Sequence, residues 1–228
     1  MDATERFAAA VAAPAAEMRL DVAAFALAAH AHPDLDIDAA CSRIDALAAR
    51  CTRPTFDGLR AYLFEDLAFR GNRRDYGDPE NSFLDSVVER RVGIPITLSV
   101  LMMEVGRRVG VPVHGVGMPG HFLVMDGARD GVWCDPFHGG ALYDSEACRR
   151  LFAHVHGNAR GFSRALLAPT DSRAIVSRML ANLEGSRLAV DPVALGWLCD
   201  LHLRLPDLPP DQRERISAAR RGARARWN

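Results

Sequence analysis

Lysine is absent from this chain of 228 residues: all 28 basic residues are arginine. That excludes a lysine Schiff base and the lysine of a phosphate-binding loop, and it leaves no lysine amine for cross-linking the chain to itself. Cysteine is sparse. Cys41, Cys51, Cys134, Cys148 and Cys199 are odd in number and lack CxxC spacing, which suits neither a disulfide framework nor a zinc knuckle. Net charge is also nearly absent, at -1, so the basic surplus of a nucleic-acid binder is missing. The longest largely apolar run, Val22 to Ala31 with His30 inside it, is roughly half a membrane span. Asp2 and Glu5 stand where a signal peptide would carry positive charge. The expectation is a cytoplasmic protein with no nucleic-acid or membrane partner and no cofactor.

What is present is enough apolar material for a core, 49% of the residues. Residues 1–69 read as helices broken at Pro14, Pro33 and Pro54. Ile44, Leu47 and Ala48 fall at helical spacing within Asp38 to Arg50, as do Leu59, Tyr62, Leu63 and Leu67 within Thr55 to Phe69. Gly71 to Pro79 is polar and marked by glycine, hence a loop. Asn81 or Ser82 is expected to cap a helix that runs to Arg91 and ends at Gly93. In it, Glu89 and Arg90 form an anchoring ion pair, or else line a pocket together with the loop Asn72 to Asp78. Pro95 suits the first turn of the next helix, whose stripe of Leu98, Leu101, Met102, Val105 and Val109 turns inward until Gly110. Three strands are predicted after it, Val111 to Val116, His121 to Met125 and Gly131 to Asp135, closed by Pro136 and a Gly139-Gly140 turn.

From Glu146 onward the pattern is helical again. The fold class is therefore α+β. Helical residues 1–69 precede a core, 70–165, with a small antiparallel sheet, and a short helical region, 166–228, comes after it. In the tail, Arg213, Arg215, Arg220, Arg221, Arg224 and Arg226 read as a solvated helix end, or as a weak contact for an anion.

Alternation puts His121, Leu123 and Met125 on one strand face. If Met125 faces Gly131, His121 lies opposite Asp135, with Cβ atoms roughly 5 Å apart. An aspartate so placed orients the imidazole and stabilises its protonated form, which is the base-and-orienter half of a catalytic triad. The competing reading is a histidine at a strand end beside an Asp-Pro turn. His138 adds a third ligand-type side chain, but the spacing of His121, Asp135 and His138 matches no short metal motif, and no metal is expected.

The run Asn81-Ser82-Phe83-Leu84, the run Glu89-Arg90-Arg91-Val92-Gly93-Ile94-Pro95-Ile96-Thr97-Leu98-Ser99, the segment Gly115 to Val124 and the segment Asp135-Pro136-Phe137-His138-Gly139-Gly140 resemble the SirB-type bacterial transglutaminase-like family. Phe69-Arg70-Gly71-Asn72, Asp75-Tyr76 and Asp78-Pro79 match it as well. The resemblance implies a papain-like fold, in which a cysteine at a helix N-terminus attacks an amide or ester carbonyl with help from a histidine and an aspartate. It places that helix start near Pro95, yet no cysteine occurs between Cys51 and Cys134. Thr97 and Ser99 are the stand-ins with hydroxyls in the first turn; Cys134 points away from the His121 face, and Cys51 would have to be brought in by the fold. Relatives often carry tetratricopeptide-like C-terminal helices, which here would be short.

Two functions stay open. One is a binding or regulatory protein that uses a cleft around His121 and Asp135, with Asn81, Glu89, Arg90, Phe137 and His138 as binding residues for an unidentified peptide, protein or small molecule. The other is a hydrolase or acyl transferase acting on an amide or ester, with His121–Asp135 as acid and base and Thr97 or Ser99 as nucleophile. His121 and Asp135 in contact at an open pocket would favour the second; a pocket filled by Met118, Phe137 or Trp133 would favour the first, or a scaffolding role.

Overall fold

A computed structural model describes residues 1–227, without the side chains of Arg187 and of residues 224–227. The prolines divide the N-terminal helices as expected: α1 (Ala3–Ala12), α2 (Leu20–Ala28), α3 (Ile37–Ala49) and α4 (Phe56–Ala61). Asp2 and Glu5 form a reciprocal capping box on α1. α2 is apolar almost all round and buried along nearly its whole length, as such a helix must be. The helix expected over Thr55 to Phe69 is regular only to Ala61. It widens into a π turn over Tyr62–Asp66, where Leu67 N–H bonds the Tyr62 carbonyl, and Ala68 then takes a left-handed conformation with φ 56°. This turns the chain into β1 (Arg70–Gly71), which pairs in parallel with β2 (Val92–Gly93).

Between those two strands lie a 3-10 turn, Pro79–Ser82, and α5 (Leu84–Arg90). Here two expectations fail. Asn81 and Ser82 are buried in the turn and do not cap α5, which starts from Phe83 without a side-chain cap. α5 ends at Arg91, left-handed with φ 56°, because Gly93 is already committed to the ladder with Gly71. α6 (Pro95–Val109) begins at its proline and stops at left-handed Gly110. Its Leu98, Leu101, Met102 and Val105 are completely buried, a burial worth roughly 1.5–3 kcal/mol for each such side chain.

The sheet runs β3 (Val113–Val116), β4 (Leu123–Asp126), β5 (Trp133–Asp135) and β6 (Ala141–Tyr143), all antiparallel and in that order. β6, only three residues long, carries too little alternation to be read from sequence. The predicted register is off by two: Met125 faces Trp133, not Gly131, and His121 precedes β4 instead of opening it. The hairpin loop is longer than expected because Gly131 adopts a positive φ and the Asp126 carboxylate takes the Ala128 N–H and Arg129 into the turn. A slip of two residues keeps every side chain on its face, whereas a slip of one would have reversed them all.

α7 (Ser145–His156), α8 (Ser172–Glu184), α9 (Pro192–His202) and α10 (Pro210–Trp227) complete the chain, with α9 and α10 packed as a hairpin. Of the tail arginines, Arg220 pairs with Asp200 and Arg213 bonds the Leu203 and Leu205 carbonyls; the side chains of Arg224 and Arg226 lie outside the described residues. The main core runs from the N-terminal helices through α6 to one sheet face, and a smaller one, with Met118, Trp133, Cys148 and Phe152, fills the other. Among the described residues no helix is long and apolar enough to cross a membrane.

Gly71 decides how closely the two small strands approach the turn after β5. A Cβ there would fall inside the Phe137 ring. Gly71→Ala is expected to displace that ring and to cost about 1–3 kcal/mol, measured by urea unfolding; an unchanged midpoint would show that the ring has room to yield.

Candidate functional site

Asp135 ends β5 and is fully buried. Its Oδ1 accepts the N–H groups of Phe137 and His138 at 3.0 and 3.2 Å, which caps the 3-10 turn Pro136–His138. Its Oδ2 lies 2.9 Å from His121 Nε2 and 2.7 Å from His138 Nδ1. Burial pushes the Asp135 carboxyl up, but bonds to the two imidazoles outweigh it and hold the group at about 2. The carboxylate is therefore ionised at neutral pH. An ionised carboxylate only accepts, so both ring nitrogens facing it must carry protons. That fixes both rings. In a neutral His121 the remaining acceptor is Nδ1, for which the described residues provide no hydrogen-bond partner.

His121 is held from behind by a residue that no sequence motif singles out. Arg178 of α8 donates from Nη2 to the His121 carbonyl at 2.7 Å and lies over the Phe122 ring. Burial lowers the pKa of this guanidinium. In front, Phe137 meets His121 edge-on at 6.2 Å and Tyr76 at 5.7 Å. His121 is 8% exposed and His138, by side chain, 34%. Met118 and Trp133 belong to the smaller core and line no cleft here.

The stand-in nucleophiles are occupied. Thr97 and Ser99 are wholly buried. Thr97 Oγ1 donates to the Asn81 carbonyl at 2.6 Å, and Ser99 Oγ to the Pro95 carbonyl at 2.8 Å, the usual fate of hydroxyls in a first helical turn. Cys134 pairs with Val124 in the main core, where burial raises its thiol far above the ordinary value. Cys51 donates to the Arg53 carbonyl. Burial likewise lifts Cys41 and Cys148 to about 12 and Cys199 to about 11.

The remaining candidates divide. Asn81 is a scaffold: its Nδ2 donates to the Asp75 and Tyr76 carbonyls and its Oδ1 accepts from Asn72. Arg90 bonds Asp78 at 2.7 Å, so the expected Glu89–Arg90 pair is absent. Consecutive residues on a helix point in different directions, and Glu89 lines a separate hollow with Arg43 and Arg50. Arg90, Phe137 and His138 do come together. They line a cleft of about 690 Å³ with Arg70, Gly71, Asn72, Arg73, Arg74, Val92 and Gly139. The polar loop was the only sequence signal for those extra arginines.

Among the described residues, His121, Asp135 and His138 are also the set of side chains that could surround a metal ion, their ligand atoms lying within 4.8 Å of one another. The two imidazoles and the carboxylate satisfy one another through hydrogen bonds at 2.9 and 2.7 Å, so no ion is needed to balance the cluster. A second histidine relay lies apart from it: His202 Nδ1 is 2.8 Å from Glu184 and Nε2 is 3.2 Å from Ser177 Oγ. Ser177 sits inside α8, where neighbouring N–H groups are spent on the helix and cannot form an oxyanion hole. This relay ties α8 to α9.

Residues 17–181 match the model of the transglutaminase-like superfamily. A "UPF0162 protein" of Xylella fastidiosa is 46% identical over 130 residues, 55% of this chain and 46% of that relative. One from Vibrio cholerae is 30% identical over 171 residues, 73% of this chain and 63% of the relative. "F-box only protein 21" of Mus musculus is 33% identical over 147 residues, 59% of this chain but 22% of that protein. The match with the first of these spans about half of the relative's length. No solved structure matches the chain.

Proposed function

The chain belongs to the transglutaminase-like superfamily, and from that premise we propose that it is a binding member of it, with a papain-like arrangement of helix end and sheet but no acyl-enzyme chemistry. One observation carries this reading: the first turn of α6 offers no thiol, and its two hydroxyls are buried and bonded to backbone carbonyls. The Phe137 ring adds support, since it packs edge-on against His121 and so covers part of the imidazole. What remains accessible is the cleft on the His138 side. A peptide, protein segment or small molecule seated there would give the protein a recognition or regulatory role.

The test is amine incorporation into a glutamine-containing peptide, with intact-mass analysis of the protein. Wild type is expected to give no more product than His121→Ala and no acyl adduct. An adduct mapped to Thr97 or Ser99 would overturn the reading.

One observation favours a second reading, hydrolysis of an amide or ester by water. Asp135 orients His121 through Nε2 while Nδ1 is left unpartnered among the described residues, as a general base requires. Turnover that His121→Ala abolishes without changing the unfolding midpoint would select it.

A further inference from the structure

Accepting the cleft beside His138 as the binding site, we infer that its ligand is a multiply charged oxyanion, a phosphorylated or polycarboxylic small molecule. Arg70, Arg73 and Arg74 would grip it, together with Arg90 and His138 of the same cleft.

Four guanidiniums line this cleft of about 690 Å³, a size suited to a small ligand. Of these, Arg90 is paired with Asp78. Arg70, Arg73 and Arg74 take part in no ion pair among the described residues. The chain as a whole carries 29 acidic against 28 basic residues. Some exposed arginines, such as Arg149 and Arg150 with Glu146, have a carboxylate partner and others, such as Arg160 and Arg215, have none among the described residues, but here three without one line a single cleft. At this cleft the balance is locally broken. The other carboxylate nearby, Asp135, is already shared between two imidazoles, and Asp75 lies in the same loop but does not line the cleft.

The loop that carries Arg73 and Arg74 is anchored. Asn72 N–H bonds the Gly93 carbonyl, Asn72 Nδ2 donates to Asn81, and Asn81 holds the Asp75 and Tyr76 carbonyls. The backbone that carries these two arginines is therefore in place before a ligand arrives, so binding has to order only their side chains. Guanidinium forks match phosphate and carboxylate oxygens in pairs and stay charged at any ordinary pH. With no lysine in the chain, every fixed cation at the cleft has that geometry.

The experiment is calorimetric titration of the full chain with inorganic pyrophosphate and, separately, with citrate. At least one is expected to bind with unit stoichiometry, more weakly as salt is added. The triple variant Arg70→Gln/Arg73→Gln/Arg74→Gln, altered at exposed side chains, should weaken it by about tenfold or more. Arg149→Gln/Arg150→Gln on α7 should leave the affinity within about twofold. Pyrophosphate alone would mark a phosphorylated ligand and citrate alone a polycarboxylate. Binding of neither, or an equal loss in the α7 variant, would overturn the inference while leaving the absence of acyl chemistry standing. An acyl adduct on Thr97 or Ser99 would do the reverse.

Discussion

Asp135→Ala is expected to lower the unfolding free energy by about 3–5 kcal/mol, and Asp135→Asn by less. Alanine strands four donors at once: the Phe137 and His138 N–H groups and the two imidazole nitrogens. Asparagine keeps Oδ1 for the backbone pair but turns an NH₂ toward rings that are themselves donating. Both histidines must then present lone pairs instead, and His121 Nδ1 would carry the proton. Asp135→Asn thus changes the cluster's hydrogen-bond polarity with little change of shape, and it is the variant to use in any assay of His121.

The same substitution isolates a pH effect. The Asp135 carboxyl lies at about 2, below its ordinary 3.8. A depressed folded-state value means that the stabilisation is complete above about pH 4 and is lost as pH falls toward 2, on the order of 2 kcal/mol in all. Asp21 is also held at about 2, so the wild-type acid limb alone does not separate the two. The difference between wild type and Asp135→Asn does. Urea unfolding between pH 2 and pH 5 should show the two curves converging as acid is added; a constant gap would mean that the carboxylate is not ionised in the folded protein.

The positions most legible in the sequence are those where one residue type has one reason to be there. Pro95 and Gly110 bound α6 because a missing N–H and a left-handed φ are each useful at one end of a helix. His121 and Asp135 could be placed on one face by alternation alone, although the strand register behind that placement was wrong by two. Less legible were the residues whose partners come from distant segments. Arg90 sits beside Glu89 in sequence, but Asp78 reaches it across the 3-10 turn. Arg178, more than fifty positions after His121, bonds its carbonyl. No local pattern signals such a contact, because nothing in the spacing of α8 distinguishes Arg178 from a solvated helix face. The cleft arginines fall between these cases: the loop announced itself as polar, but its convergence on Phe137 and His138 depends on β1 pairing with β2.

Arg108→Ala should have an effect as large as Asp135→Ala, about 3–5 kcal/mol, at a residue that does not line the cleft beside His138. Arg108 is 9% exposed by side chain and bonds Asp21, Asp45 and Glu104 at 2.5, 2.5 and 2.8 Å. Asp21 is completely buried; burial would raise it, but Arg19 and Arg108 bring it down to about 2. Glu104, also buried, accepts the Leu20 N–H, and its pKa is raised by burial and by the Asp21 charge. Without Arg108, two neighbouring buried carboxylates keep only Arg19 and Arg107 as cationic partners. Raising Glu104 further makes the folded state bind its proton more readily than the unfolded chain does, so the variant's deficit should grow as pH rises from about 5 to 7. Asp21→Asn in the Arg108→Ala background should recover part of the loss, because it removes one of the two stranded charges. Equal deficits at pH 5 and pH 7, with no recovery in the double variant, would instead assign the cost of Arg108→Ala to lost packing of its long side chain.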